Sequence, residues 1–225
     1  MKNLITRKKE NVLVIPDLHI PAHHPKFLAF LKKTYKKFKC TKAISVGDVV
    51  DLNSFGRWEL IPEMPSPGDE LKIVRKEIQK YYKAFPDLII TLGNHDIRFI
   101  KKMTSAGLPT EIAKSINEIL EVPNWKFVNN ITIDNVIYSH GTGSPANILT
   151  AVQNTRMNYV RGHQHSKYEI QYTSGPKDTL WGMTVGCGVD RDHPAFSYGK
   201  DYIKKPILGC AVVLDGVPQL IPFTE

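Results

Sequence analysis

Five apolar, β-rich runs in this chain each end in a short cluster of Asp, Asn, His and Gly, and the clusters follow one another in order. The runs are Val12 to Pro16, Ala43 to Val46, Leu88 to Leu92, Val136 to Tyr138 and Tyr159 to Arg161. The clusters are Asp17-Leu-His19, Gly47-Asp48-Val-Val-Asp51, Gly93-Asn94-His95-Asp96, Ser139-His140-Gly141 and Gly162-His163-Gln-His165. A short, unbroken apolar run is what a strand buried on both faces requires. Strands that end in such side chains gather them at one rim of an α/β scaffold. The fold must bring five strand ends together.

Between the runs, Pro25 to Phe38 repeats Leu28, Leu31, Tyr35 and Phe38 at helical spacing, with lysines on the other side. Asp69 to Phe85 repeats Leu71, Val74, Ile78, Tyr81 and Phe85 in the same way. The prolines at 62, 65 and 67 make Leu52 to Gly68 a loop. This β-α-β-loop-α-β order predicts a parallel sheet with right-handed crossovers.

The second half is richer in strands. Thr110 to Val122 reads as a helix, and Ile131 to Tyr138 as two strands about an Asp134-Asn135 turn. Ser144-Pro145 reads as the start of a short helix running to about Asn154. Strands are predicted at Tyr168 to Tyr172 and Leu180 to Val185, then a hairpin of Ile207 to Leu214 and Val217 to Phe223 about Asp215-Gly216. The whole reads as two stacked mixed sheets with helices outside, in one domain spanning 1–225.

Apolar residues make up 42% and charged residues 23% of the chain, an ordinary globular balance. No apolar stretch reaches the roughly 18 residues of a membrane span, and the start of the chain has no secretory pattern. Three scattered cysteines, Cys40, Cys187 and Cys210, fit reduced thiols, so the expected compartment is the cytoplasm. The net charge of +8 favours phosphorylated or polyanionic partners, although the Lys32 to Lys39 run is also explained as a solvated helix face.

The clusters have the chemistry of a metal site. Asp17 and His19 are two residues apart, and so are His163 and His165, so each pair points one way in an extended segment. Asp48 has two oxygens able to bridge two cations, Asn94 offers a neutral amide oxygen, and His140 adds an imidazole. Mixed oxygen and imidazole donors suit Mn, Fe, Zn, Co or Ni better than Ca or Mg. With one bridging carboxylate, seven residues give each of two ions four ligands and leave positions open, the mark of a catalytic site. Taken singly, Asp17, Asp48 and Asn94 read first as turn or cap residues, and His140 as a hydrogen-bonded core or rim histidine.

Together, D-x-H, G-D-x-x-D, G-N-H-D, a histidine before glycine and G-H-x-H resemble the motifs of the calcineurin-like metallophosphoesterase superfamily, over Asp17 to His165. The resemblance implies a four-layer α/β/β/α sandwich, two mixed β-sheets flanked by helices, known as the metallo-dependent phosphatase fold. It implies one metal on Asp17, His19, Asp48 and His165, and another on Asp48, Asn94, His140 and His163. His95 becomes the histidine beside the leaving group, with Asp51 as the partner that fixes its tautomer and raises its pKa. The implied activity is hydrolysis of phosphate esters by a metal-activated water, with a phosphodiesterase on nucleotides or nucleic acid ahead of a phosphomonoesterase. A non-catalytic scaffold binding a protein partner is the reading from another class.

One departure matters. Protein phosphatases of this superfamily carry arginine after the second Asp of G-D-x-x-D, where this chain has Leu52. A phosphate-binding arginine then has to come from elsewhere, with Arg57, Arg98, Arg161 and Arg191 as candidates. Phe55, Arg57 and Trp58 in the following loop, and the segment from Gly186 to Tyr198, are candidates to line the pocket, while His23, His24 and His193 read as surface residues.

Overall fold

In the computed structural model, which describes residues 9–56, 64–199 and 203–224, β1 (Val12–Ile15) is completely buried. Val12 and Val14 point into a core between two sheets, while Leu13 and Ile15 point into a second core under helices. That two-sided burial is why the run shows no polar alternation.

The first sheet has the order β11-β10-β1-β2-β3-β4. Its strands β1, β2 (Lys42–Ser45), β3 (Ile89–Thr91) and β4 (Lys126–Val128) pair in parallel. The hairpin β10 (Gly209–Leu214) and β11 (Val217–Pro222) adds antiparallel to β1. Helices α1 (Phe27–Lys37) and α2 (Pro67–Ala84) connect the first three strands and cover the outer face. Ser66 starts α2 by accepting a hydrogen bond from the Asp69 amide, with Pro67 in the first turn. On α1 the lysines at 32, 33, 36 and 37 are exposed, as a solvated face requires.

The second sheet, β5-β6-β7-β9-β8, is mixed. It contains β5 (Asn130–Ile133), β6 (Val136–Ser139), β7 (Asn158–Arg161), β8 (Tyr168–Ser174) and β9 (Thr179–Val185). Its inner side chains, among them Tyr138, Val160 and Met183, meet Val12, Val14, Ile44 and Val46 of the first sheet. On its outer face, Ile148, Ala151 and Val152 of α5 (Ile148–Thr155) pack on Tyr159. Helices, sheet, sheet and helix make the four layers.

Three local readings need correction. The helix expected from Thr110 is a 3-10 turn at Thr110–Ile112, and α4 (Ile116–Leu120) starts afresh where Ser115 and Glu118 form a capping box. Ser144-Pro145 does not start α5, because Arg161 takes the carbonyls of Pro145 and Ala146, and Asn147 caps the helix instead. Helix α3 (Arg98–Ser105), which follows the third cluster, had no periodic signal long enough to predict it. No helix among the described residues is long and apolar enough to cross a membrane.

Candidate metal centre

The strand ends deliver the seven ligand-type side chains to one place, and three sit on strained backbone. His19, Asp48 and His163 have φ of 53°, 46° and 66°, which costs non-glycine residues about 1–3 kcal/mol each and clusters at functional sites. Glycine lets the carboxylates in. A Cβ at Gly93 would lie 2.0 Å from Asp48 Oδ1, and one at Gly162 would lie 2.0 Å from Asp17 Oδ1.

Two groups of donors converge. In the first, His165 Nε2 is 3.1 Å from Asp17 Oδ2 and 3.2 Å from His19 Nε2. In the second, His140 Nε2 is 3.1 Å from both Asn94 Oδ1 and His163 Nδ1, and 3.2 Å from Asp48 Oδ2. Asp48 Oδ2 is also 3.7 Å from His19 Nε2, so this one atom lies between the groups.

The tautomers can be assigned. His19 donates from Nδ1 to Asp51 Oδ1 (2.9 Å), and His140 donates from Nδ1 to the Val46 carbonyl (2.8 Å). Burial lowers the His19 pKa, and its neutral Nε2 lone pair then faces His165 Nε2, an arrangement that a cation resolves. Asp17 Oδ1 is buried without a hydrogen-bond partner among the described residues. Asp17, His19 and His165 form one compact donor set, and Asp48, His140 and His163 another. The residues fit two metal ions.

The charges are strongly coupled. Burial alone would raise the Asp48 carboxyl, but the His140 hydrogen bond and the imidazoles of His140, His19 and His95 hold it well below the usual carboxylate range. For His140, burial lowers the pKa, and the Asp17 and Asp48 carboxylates overcome it, pushing the ring up to about 9.

His95 stands beside these groups. Its Nδ1 is 2.9 Å from Asp51 Oδ1, the same oxygen that holds His19. Burial depresses its pKa, but the Asp51 hydrogen bond and the charges of Asp48 and Asp51 leave it raised. Arg98 reaches the other ring nitrogen: Nη2 donates to His95 Nε2 at 3.0 Å, and Nη1 donates to the Asp51 carbonyl at 2.9 Å.

Of the other arginines, Arg161 is 1% exposed. Its guanidinium donates to the carbonyls of Pro145 and Ala146 and to Gln164 Oε1, so it holds the loop before α5 and is no phosphate ligand. Arg57, with Trp58, lies outside the described residues. Phe55 packs against the helix-side core, while Arg191, Asp192 and Phe196 line the cavity over the donors. His23, His24 and His193 are all half-buried, not the surface residues expected.

Two residues escaped the sequence reading. Asp96, the last residue of its cluster, is fully buried and accepts from the amides of Asp48, Val49, Val50 and Gly93, so it shapes the loop that carries Asp48. Glu70, buried on α2, accepts from the amides of Asn53 and Ser54 at 2.8 Å and from the Ser54 hydroxyl, fixing the turn after Asp51. A carboxylate on an otherwise apolar helical stripe was its signal.

No curated protein sequence matches the chain significantly. Among solved structures, a metallophosphoesterase from Sphaerobacter thermophilus is 14% identical, with a TM-score of 0.49, over 96% of this chain and 89% of its own. Vacuolar Protein Sorting 29 from Cryptosporidium parvum is 14% identical, with a TM-score of 0.47, over 97% and 100%. Yfce, a phosphoesterase from E. coli, is 12% identical, with a TM-score of 0.42, over 90% and 87%. A family profile, calcineurin-like phosphoesterase, matches residues 10–210, a span that holds all five clusters. By that match the chain belongs to the calcineurin-like phosphoesterase family.

Proposed function

We propose that this protein is a dinuclear metal-dependent phosphoesterase that hydrolyses phosphate esters, with diesters of nucleotides or nucleic acid preferred to monoesters. The observation that carries the reading is the convergence of seven donors from five strand ends, with Asp48 Oδ2 between the two groups. In the proposal Asp17, His19, Asp48 and His165 hold one ion, and Asp48, Asn94, His140 and His163 the other. Two divalent transition-metal ions, Mn first and Fe, Zn, Ni or Co as alternatives, would lower the pKa of a shared water and offset charge on the phosphoryl oxygens.

The chain's own groups do the rest. Asp51 holds His19 in the ligating tautomer and orients His95 with the same oxygen. His95 gives a proton to the leaving oxygen as the imidazolium, which forms once Nε2, the acceptor of the Arg98 hydrogen bond here, is released and protonated, and the ring returns to the neutral form. Arg98 acts as a positioning residue for the Asp51–His95 pair through its hydrogen bond to the Asp51 carbonyl. Leu52 is buried in the helix-side core, which supports a substrate other than a phosphoprotein. We take residues 1–225 as one domain and the cytoplasm as its compartment, on the free, buried state of Cys40, Cys187 and Cys210.

The deciding experiment is hydrolysis of bis(p-nitrophenyl) phosphate and p-nitrophenyl phosphate after chelation and after adding back each metal. About two ions per chain and a metal-dependent rate are expected, with the diester turned over faster. Absence of activity with every metal would leave a binding scaffold as the better account.

His95→Asn tests the proton donor. It should keep both metals yet slow esters with poor leaving groups by about a hundredfold or more. Nitrophenyl esters, whose leaving group departs as a stable anion, should slow less. Loss of a metal, or equal slowing of both substrate types, rules out the proton-donor role.

A further inference from the structure

We propose that the catalytic cavity has a second phosphate subsite, built by Arg191, Lys204 and Lys205 with Lys167 at its margin, so that the substrate carries at least one phosphate besides the one attacked. This rests on the phosphoesterase reading above.

The cavity over the metal donors measures about 820 Å³. That is the size of a pocket for a ligand much larger than orthophosphate. Beyond the motif residues, its described lining contains four cations, Lys167, Arg191, Lys204 and Lys205, against one carboxylate, Asp192. They come from three segments: the turn after β7, the stretch after β9 and the approach to β10. A lone exposed lysine says little about function, but four cations from three segments around one cavity mouth make a focused positive field.

The cationic flank is fixed to the catalytic groups. Arg191 Nη2 donates to the Pro206 carbonyl at 2.7 Å. The next amide, Ile207, donates to the carbonyl of His165 at 2.8 Å, and the Ile207 carbonyl accepts from the Cys187 amide at 3.0 Å. The backbone just after Lys204 and Lys205 is therefore hitched to a metal-donor residue. Lys167 lies two residues beyond His165; its Nζ donates to the Ala146 carbonyl at 2.7 Å and lies 4.0 Å from Glu169 Oε1, so it adds charge from the margin and Arg191, Lys204 and Lys205 carry the subsite. Phe196 adds an apolar ring at the same mouth, 5.7 Å from the His19 ring and nearly perpendicular to it. It offers a face on which a sugar or base can pack. One phosphate is already provided for by the metal donors, so the flanking cations match a further anionic group.

Two substrates with one scissile bond and one leaving group give the test: thymidine 5′-(p-nitrophenyl phosphate) with and without a 3′-phosphate. With Mn bound, the 3′-phosphorylated ester should show at least about a tenfold higher kcat/KM, the worth of one charge-assisted hydrogen bond. The Lys204→Ala, Lys205→Ala double variant should bring that ratio close to one, and added salt should shrink it in the wild type. A wild-type ratio near one, or a ratio the double variant leaves unchanged, overturns the subsite while the phosphoesterase reading stands. No hydrolysis of either ester with any metal removes both. Competition separates the sources of the second phosphate. With Mn held in excess over added phosphate, inhibition by an oligothymidylate that weakens in the double variant assigns a nucleic-acid strand, inhibition by tripolyphosphate that weakens likewise assigns a polyphosphate chain, and inhibition by neither, or inhibition the double variant leaves unchanged, overturns the subsite.

Discussion

Asp48→Asn should lower diester turnover by about a thousandfold, the loss expected when several kcal/mol of metal-borne charge stabilisation disappears. His19→Ala should cost clearly less. Asp48 Oδ2 lies 3.2 Å from His140 Nε2 and 3.7 Å from His19 Nε2, so it reaches toward the imidazoles of both donor groups. Its other oxygen accepts the His95 amide at 2.7 Å, which leaves little freedom to swing aside. An asparagine offers one oxygen and a donor NH2, and cannot serve both sides. Metal content measured on the same samples should fall from about two ions per chain toward one. Equal losses in the two variants would show that Asp48 serves one ion only.

Asp96→Ala should be the most destabilising single change at the site, although Asp96 is proposed to touch neither metal nor substrate. Its carboxylate accepts from the amides of Asp48, Val49, Val50 and Gly93, and truncation leaves these buried donors unpaired. The expected loss is about 3 kcal/mol or more, or a fall of about 10 °C in melting temperature for a chain of this size. Burial and the neighbouring Asp48 charge push the Asp96 carboxyl up to about 6, so its amide donors hold it against an unfavourable setting. Melting should be followed with a chelator present, so that lost metal binding is not counted as lost folding. A change under about 1 kcal/mol would mean that the loop holds its shape without it.

The convergence of the motif residues was legible because donor-type side chains sit in short contiguous clusters behind apolar strands. Residues that act at a distance were not. Asp96 works on amides 46 to 48 positions away in the chain, a pairing that leaves no periodic trace. Arg161 was readable in part, since strand alternation puts it on the face of Tyr159, toward α5 and away from the core between the sheets. Charge type alone suggested a phosphate ligand there. The parallel order of the first sheet followed from its β-α-β pattern, whereas β4, short and partly exposed, had too little apolar content to stand out. Where α5 begins depended on which side chain claimed the Pro145 and Ala146 carbonyls, a tertiary fact.

Each donor group draws on both sheets. Asp17, His19, Asp48 and Asn94 follow strands of the first, while His140, His163 and His165 follow strands of the second. Bound ions would therefore act as rivets across the seam between two independently hydrogen-bonded layers. A rivet that only the assembled form can hold adds stability by mass action, about 2.7 kcal/mol when free metal exceeds its dissociation constant a hundredfold. In a metal-poor setting the seam would open more often, and the strand edges beneath it would be exposed to proteases and to one another. Metal supply would then govern how long each molecule lasts as well as how fast it works.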